Sequence, residues 1–336
     1  MLPCFFLIIF TGTMEKTAFI TGATGFLGLN LAELLVQQGW QVTALHRPQS
    51  NVEILKKIAP GVQLTQGNIT NLSSVMQAMP KGVNAVFHVA GNTGQWKNYN
   101  AQQYEDNVTG TVNVVQAALT KGAGKLIHTS SHSAFGIHEG VIIDENTPSN
   151  ALTCGSNYAL TKYLSELEAL KGMEQGLEIT ILNPCKIMGK YDNNNWAQLI
   201  IAVKNNKLPG IPPGGGMFCH VKDVAQAHIN AVNMGQNGHR YLLGGQDATF
   251  LQVLNLIQQK LGKPLSHKVT PVWALRVACF FMGMASAVTG KEPQLTPEKL
   301  SMLIKHPVCN YQKAVRHLQF RTSAIETMIE DTLSTL

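Results

Sequence analysis

The stretch Thr21-Gly22-Ala23-Thr24-Gly25-Phe26-Leu27-Gly28 constrains the chain more than any other. Before it runs Lys16-Thr17-Ala18-Phe19-Ile20, short, apolar and β-branched, which reads as a buried strand. After it Leu31, Leu34, Leu35 and Val36 recur at helical spacing between Leu29 and Gln38. Strand, glycine-rich turn and helix in this order form a phosphate cradle. Gly22 permits the tight turn, Gly25 lets backbone approach a pyrophosphate, and Gly28 lets the helix pack close to the strand. The first N–H groups of the helix and its positive dipole end favour the anion. A glycine triplet alone would mean only a tight turn; these flanks give it a ligand.

The rest of the chain supports a globular α/β protein. Apolar residues make up 45% and charged residues 14%, which argues against disorder. The net charge of +6 comes from scattered Lys and Arg with no basic run, so no nucleic-acid face is expected. Six cysteines lie far apart without a CxxC pair, which excludes a disulfide framework and zinc spacing and fits reduced thiols in a cytoplasmic protein. No metal site is expected. Leu2 to Phe10 is nearly all apolar, lacks a basic flank, and is shorter than the ~20 residues a bilayer needs. Met14 then precedes the first strand, so residues 1–13 read as a leader outside the fold, with membrane association as the alternative.

In chain order, Gln41–Leu45, Val62–Thr65, Ala85–Ala90, Lys125–Thr129 and Glu178–Leu182 read as further strands. Helices are expected over 102–121 and 157–175. The alternation predicts a Rossmann-type doubly wound parallel sheet over residues 14–189. The second strand ends in His46-Arg47-Pro48, where NAD-binding folds often carry an acid for the ribose hydroxyl. Arg47 suits a 2′-phosphate instead, so the cofactor leans to NADP over NAD. His88 reads as a packed strand histidine. Val89, Ala90 and Gly91 are small enough at a strand end for a cofactor to lie against the backbone. Residues 190–336 form a smaller substrate lobe, some of whose segments return to the sheet. Its loop-rich 192–195 and 208–216 alternate with helical stretches at 196–205, 223–234, 250–261 and 272–288. The last is nearly all apolar but interrupted by Arg276, and reads as a lobe helix burying apolar surface, not as a membrane span.

Tyr158 and Lys162 stand four apart, on one helical face. A phenol with an ordinary pKa near 10 must drop by about 3 to exchange protons near neutrality. A neighbouring cation supplies ~1–3 of that. Ser131, at the end of the fifth strand, can hold a carbonyl oxygen against the phenol. The three would protonate a carbonyl while a nicotinamide delivers hydride to carbon.

These segments resemble a known group from about Thr17 to the C-terminus. The marks are TGATGFLG at 21–28, HVAG at 88–91, NVTGTVNVV at 107–115, HTSSHSAFG at 128–136, YALTK at 158–162, NPCKIMG at 183–189 and HVKDVAQAH at 220–228. The chain is similar to the extended short-chain dehydrogenase/reductases, the NAD-dependent epimerase/dehydratase family. Arg47, the Trp96 region, Asn183-Pro184 and YLLGG at 241–245 look most like its dihydroflavonol 4-reductase and hopanoid-associated sugar epimerase branch. The resemblance implies Ser131 as oxyanion partner, Tyr158 as proton donor or acceptor, and Lys162 as tuner of the phenol and ligand of the nicotinamide ribose. It implies that backbone N–H groups of Phe26 and Leu27 reach the pyrophosphate. Ile69, Pro184 and Ile187 would line the cofactor, Ile187 near the carboxamide, and Asn107 would support Lys162 through water. Asn68 stands where the family usually has Asp; its amide oxygen can still accept the adenine amine. Cys185 and Lys186 replace small or apolar residues in the substrate wall.

The expected activity is reduction of a carbonyl, or oxidation of a secondary alcohol, on a small apolar substrate. Apolar side chains at 208–217 and 272–288, with few cations, underlie that substrate class. The alternative is a nucleotide-sugar epimerase or dehydratase with tightly bound NAD, and a third reading is a non-catalytic cofactor sensor. No nucleic-acid or membrane-spanning role is expected, and a homodimer is left open.

Overall fold

Thr17–Thr21 (β1) is a run of small and β-branched residues buried on both faces, as the central strand of a parallel sheet must be. It pairs in parallel with Gln41–His46 (β2) on one side and Ala85–His88 (β4) on the other. Gln63–Gln66 (β3) lies outside β2, and Lys125–Thr129 (β5) lies outside β4. The strands Glu178–Pro184 and His239–Leu243 complete a seven-stranded parallel sheet. The order reverses direction between β1 and β4, and ligands of such sheets bind in the crevice at that point. The computed structural model describes residues 15–208 and 210–336; the leader reading of 1–13 lies outside them.

Helices cover both faces. Phe26–Gln37 (α1) and the helix Val221–Met234 share one apolar layer with Trp40, Phe87 and Tyr241. The other layer joins Phe19, Val86, Leu126 and Ile179 to Val114, Ala118 and Ala169. The lobe has its own core, where Trp196, Phe218 and Phe250 meet with ring centroids 5.0–6.4 Å apart.

Three sequence expectations change. The helix expected over 102–121 is interrupted: Asn100–Tyr104 passes into a π-helical turn at Glu105–Thr109 before Gly110–Lys121 resumes. The glycine-rich 215–216 opens a strand, Gly215–His220, in a small sheet with Lys186–Met188 and Gln246–Thr249. The apolar helix Val272–Thr289 is not a buried lobe helix: only Cys279 and Ser286 are buried, and Trp273, Phe280, Phe281 and Met284 face outward. It is long and apolar enough to cross a membrane by length and composition.

Candidate active site

The cradle forms at the end of β1. Gly22 has φ +77°, and a Cβ there would sit 2.6 Å from the Ala90 nitrogen, so β4 approaches only because the position is glycine. A Cβ on Gly28 would overlap the Gly22 carbonyl, which is why α1 can sit directly on the turn. Gly25 is the N-cap, and no side chain caps the first turn. The leading N–H groups of α1, at Phe26 and Leu27, therefore stay available for an anion. An uncapped helix of 12 residues behind a glycine turn at the sheet's switch point fits a dinucleotide pyrophosphate.

The flanks of the cradle are organised by short polar contacts. Arg47 is exposed immediately after β2, one strand from β1. Asn68 Oδ1 accepts from the Thr70 N–H at 3.2 Å, which leaves its second lone pair for the adenine amine. Ile69 packs against Gly110, and its carbonyl accepts from Asn113. Val89 and Ala90 donate their N–H groups to Thr21, tying the end of β4 to β1. His88 is a packed strand histidine, its two ring nitrogens 2.7 and 3.0 Å from the hydroxyls of Thr21 and Thr111.

Asn107 sits in the π-helical turn, a feature common at functional sites. Its amide holds the Asn92 backbone at both ends, accepting from N at 2.7 Å and donating to O at 2.9 Å. It also donates to the Thr161 hydroxyl at 3.0 Å. The side chain thus pins the 91–92 turn directly to the helix that carries Lys162. A Cβ on Gly91 would lie 3.3 Å from Lys162 Nζ and 3.4 Å from Asn107 Oδ1, which places all three together.

The helix Asn157–Glu174 begins at Ser156, whose hydroxyl caps Ala159 N–H. Tyr158 lies in its first turn, and its buried phenol stands near the Ser131 hydroxyl. Ser131 in turn accepts from Ser133 N–H at 3.1 Å and holds Asn183 through its carbonyl. Burial pushes the phenol above its ordinary value, and the nearby Ser131 hydroxyl opposes this. The expected lowering by Lys162 is not seen. Lys162 Nζ donates instead to the Thr129 carbonyl at 2.8 Å, under the end of β5. Burial brings the ammonium down to about 8, with the Glu166 carboxylate opposing. Pro184 and Ile187 lie on the two strands leaving the site, on either side of Cys185. Cys185 Sγ is 3.4 Å from Cys309 Sγ, and burial lowers Lys186 beside it.

Three residues missed in the sequence complete the site. Glu166, one turn after Lys162, is buried, accepts from Ser130 and Asn183, and forms an ion pair with Arg240. Arg240 comes from the edge strand His239–Leu243. Glu298, in the lobe helix Pro297–Leu303, accepts from Ser156 Oγ at 2.6 Å and Tyr158 N at 3.1 Å. The i,i+4 spacing from Lys162 could have flagged Glu166; nothing local flags the other two. A carboxylate at a helix N-terminus is favourable. Removing it in Glu298→Ala should cost about 1.5–3 kcal/mol of stability, the scale of a hydrogen bond to a charged group. Thermal melting would check this, and an unchanged melt would show that the clasp is not formed.

Comparisons with known proteins agree with this layout. Sterol demethylase protein B of Methylococcus capsulatus is 30% identical over 76% of this chain and 77% of its own length. A Synechocystis protein provisionally named dihydroflavonol 4-reductase is 29% identical over 95% of this chain and 94% of its own. The crystal structure of gox2253 superposes with a TM-score of 0.81 at 30% identity, covering 96% of this chain and 98% of that one. The relatives and neighbours include reductases, dehydrogenases and epimerases. The signature described as the NAD dependent epimerase/dehydratase family matches residues 18–244, and the chain, an oxidoreductase-type enzyme that uses a nicotinamide cofactor, belongs to that family.

Proposed function

We propose that the protein is an NADP-preferring reductase or dehydrogenase acting on a ketone or secondary alcohol of a polycyclic apolar molecule. The observation that carries it is the buried Tyr158 phenol near Ser131, with Lys162 Nζ held on the Thr129 carbonyl at 2.8 Å beneath the same strand end. Gly22, Gly25, Phe26, Leu27 and Gly28 would hold the pyrophosphate, Arg47 the 2′-phosphate, and Asn68 and Ile69 the adenine end. Val89, Ala90, Gly91, Pro184 and Ile187 would flank the nicotinamide half, with Asn107 holding the Gly91 turn and Lys162 reaching the ribose. The nicotinamide, when bound, supplies or takes up hydride. Ser131 then orients the substrate oxygen, and Tyr158 donates or accepts its proton at the phenol oxygen. Free thiols at Cys154, Cys185, Cys219, Cys279 and Cys309 suit a cytoplasmic protein.

The substrate class needs a new basis, because the aromatic side chains of the helix Val272–Thr289 face outward and do not line the site. It rests on two relatives, the sterol demethylase protein B and the protein provisionally named dihydroflavonol 4-reductase. The test follows NADPH absorbance across polycyclic ketones and, separately, competition by UDP and nucleotide sugars. Inhibition by UDP without turnover of any ketone would favour an epimerase that retains NAD.

Arg47→Asp should reverse the cofactor preference. The variant loses a charge-assisted contact of about 1.5–3 kcal/mol to NADPH. It also gains a repulsive carboxylate that can accept the NADH ribose hydroxyl. Fluorescence titration with both nucleotides reads this; equal wild-type affinities would refute the assignment before any substitution.

A further inference from the structure

We propose that the helix Val272–Thr289 docks the protein on an anionic lipid surface, lying in the plane of the interface. Successive residues turn by about 100°, so the helix can be divided into faces. Val272, Leu275, Cys279, Met282 and Ser286 fall on one stripe and are buried or half-buried, with the small Ala274 and Ala278 half-buried at its edge. Trp273, Val277, Phe280, Phe281, Met284 and Val288 fall within a stripe about 100° wide on the opposite side. These six are all exposed, Trp273 at 70% and Val288 at 89%. A soluble surface helix would be polar on this face. Here both faces are apolar, and only the inner one packs on the protein, against the helix Pro297–Leu303.

Charge selects the occupant. Between Asp247 and Glu292 the chain has no acidic residue, while Lys260, Lys263, Lys268, Arg276 and Lys291 all fall in that interval. Lys268, Arg276 and Lys291 are exposed before, beside and after the apolar stripe. Exposed aromatics with cations at the flanks are the pattern of a helix held by lipid tails and anionic headgroups together. A second copy seated on the same face would bring like charges towards each other, which disfavours that occupant. A span across the bilayer would strip the inner stripe from the helix Pro297–Leu303. That helix also carries Glu298, the clasp on Ser156 and Tyr158, so the lipid-facing element stands one short helix from the catalytic one. The docking is independent of the substrate named above.

The experiment is flotation of the full chain with vesicles of phosphatidylcholine alone and of phosphatidylcholine mixed equally with phosphatidylglycerol. The expected result is binding to the mixed vesicles, weakened by salt and at least about tenfold weaker for Trp273→Glu/Phe280→Ser/Phe281→Ser, whose side chains are exposed. The circular dichroism and NADPH binding of that variant should match the wild type. Three results would overturn the proposal. One is no binding to either vesicle. Another is equal flotation of the variant, with loss of flotation on deleting residues 1–13 instead. The third is a wild-type dimer that the triple substitution makes monomeric without any vesicle binding.

Discussion

Tyr158→Phe is expected to lower turnover by at least about 100-fold, the ordinary scale of general acid–base catalysis. The substitution removes one oxygen, the phenol oxygen near Ser131. Nothing else in the helix Asn157–Glu174 depends on it, since its N-terminus is fixed by Ser156 and Glu298. Affinity for the dinucleotide should therefore stay nearly constant, because the cradle at Gly22–Gly28 does not touch the phenol. The pH profile adds a second reading. Burial holds the phenol high and the Lys162 ammonium at about 8, so Lys162 loses its charge before the phenol does. A wild-type profile should fall as Lys162 deprotonates, and Lys162→Met should remove that limb. Turnover of Tyr158→Phe within a few fold of wild type would dismiss the phenol as the proton-transferring group.

The two halves of the chain were legible to different degrees, for physical reasons. β1, β2 and β4 are largely apolar or β-branched because an interior parallel strand is buried on both faces. The glycine cradle was legible because steric closeness admits no side chain at Gly22 or Gly28. The strand His239–Leu243 was not read, since its first two residues are polar and it lies at a sheet edge. Burial of the helix Val272–Thr289 was misjudged because apolar composition records what a helix avoids, not which neighbour covers it. The Tyr158–Lys162 spacing located the pair, but Lys162 has a nearer acceptor in Thr129 than the phenol. Glu166–Arg240 and Tyr158–Glu298 join residues far apart in sequence, where no period or motif operates.

Arg240→Met is expected to destabilise the fold by about 3–5 kcal/mol, the cost of leaving one member of a buried pair alone. Glu166 is buried, and Arg240 Nε stands 2.7 Å from its Oε2 with its side chain 23% exposed. Ser130 and Asn183 still hydrogen-bond Glu166 in the variant, so the lower end of that range is expected. Burial pushes the Glu166 carboxyl above its ordinary 4.5, and Arg240 is the largest influence holding it down. A carboxyl that binds its proton more tightly when folded lends stability below its unfolded pKa and loses it as pH rises through the folded value. Removing Arg240 raises the folded value further and extends that loss to higher pH. The deficit against wild type should therefore be larger at about pH 8 than at about pH 5. Glu166→Gln/Arg240→Met removes both charges of the pair and should recover part of the loss. Thermal melts of the three proteins at both pH values decide it. Equal deficits at the two pH values, or a double variant no more stable than Arg240→Met, would show that the pair does not carry the charge balance beneath Lys162.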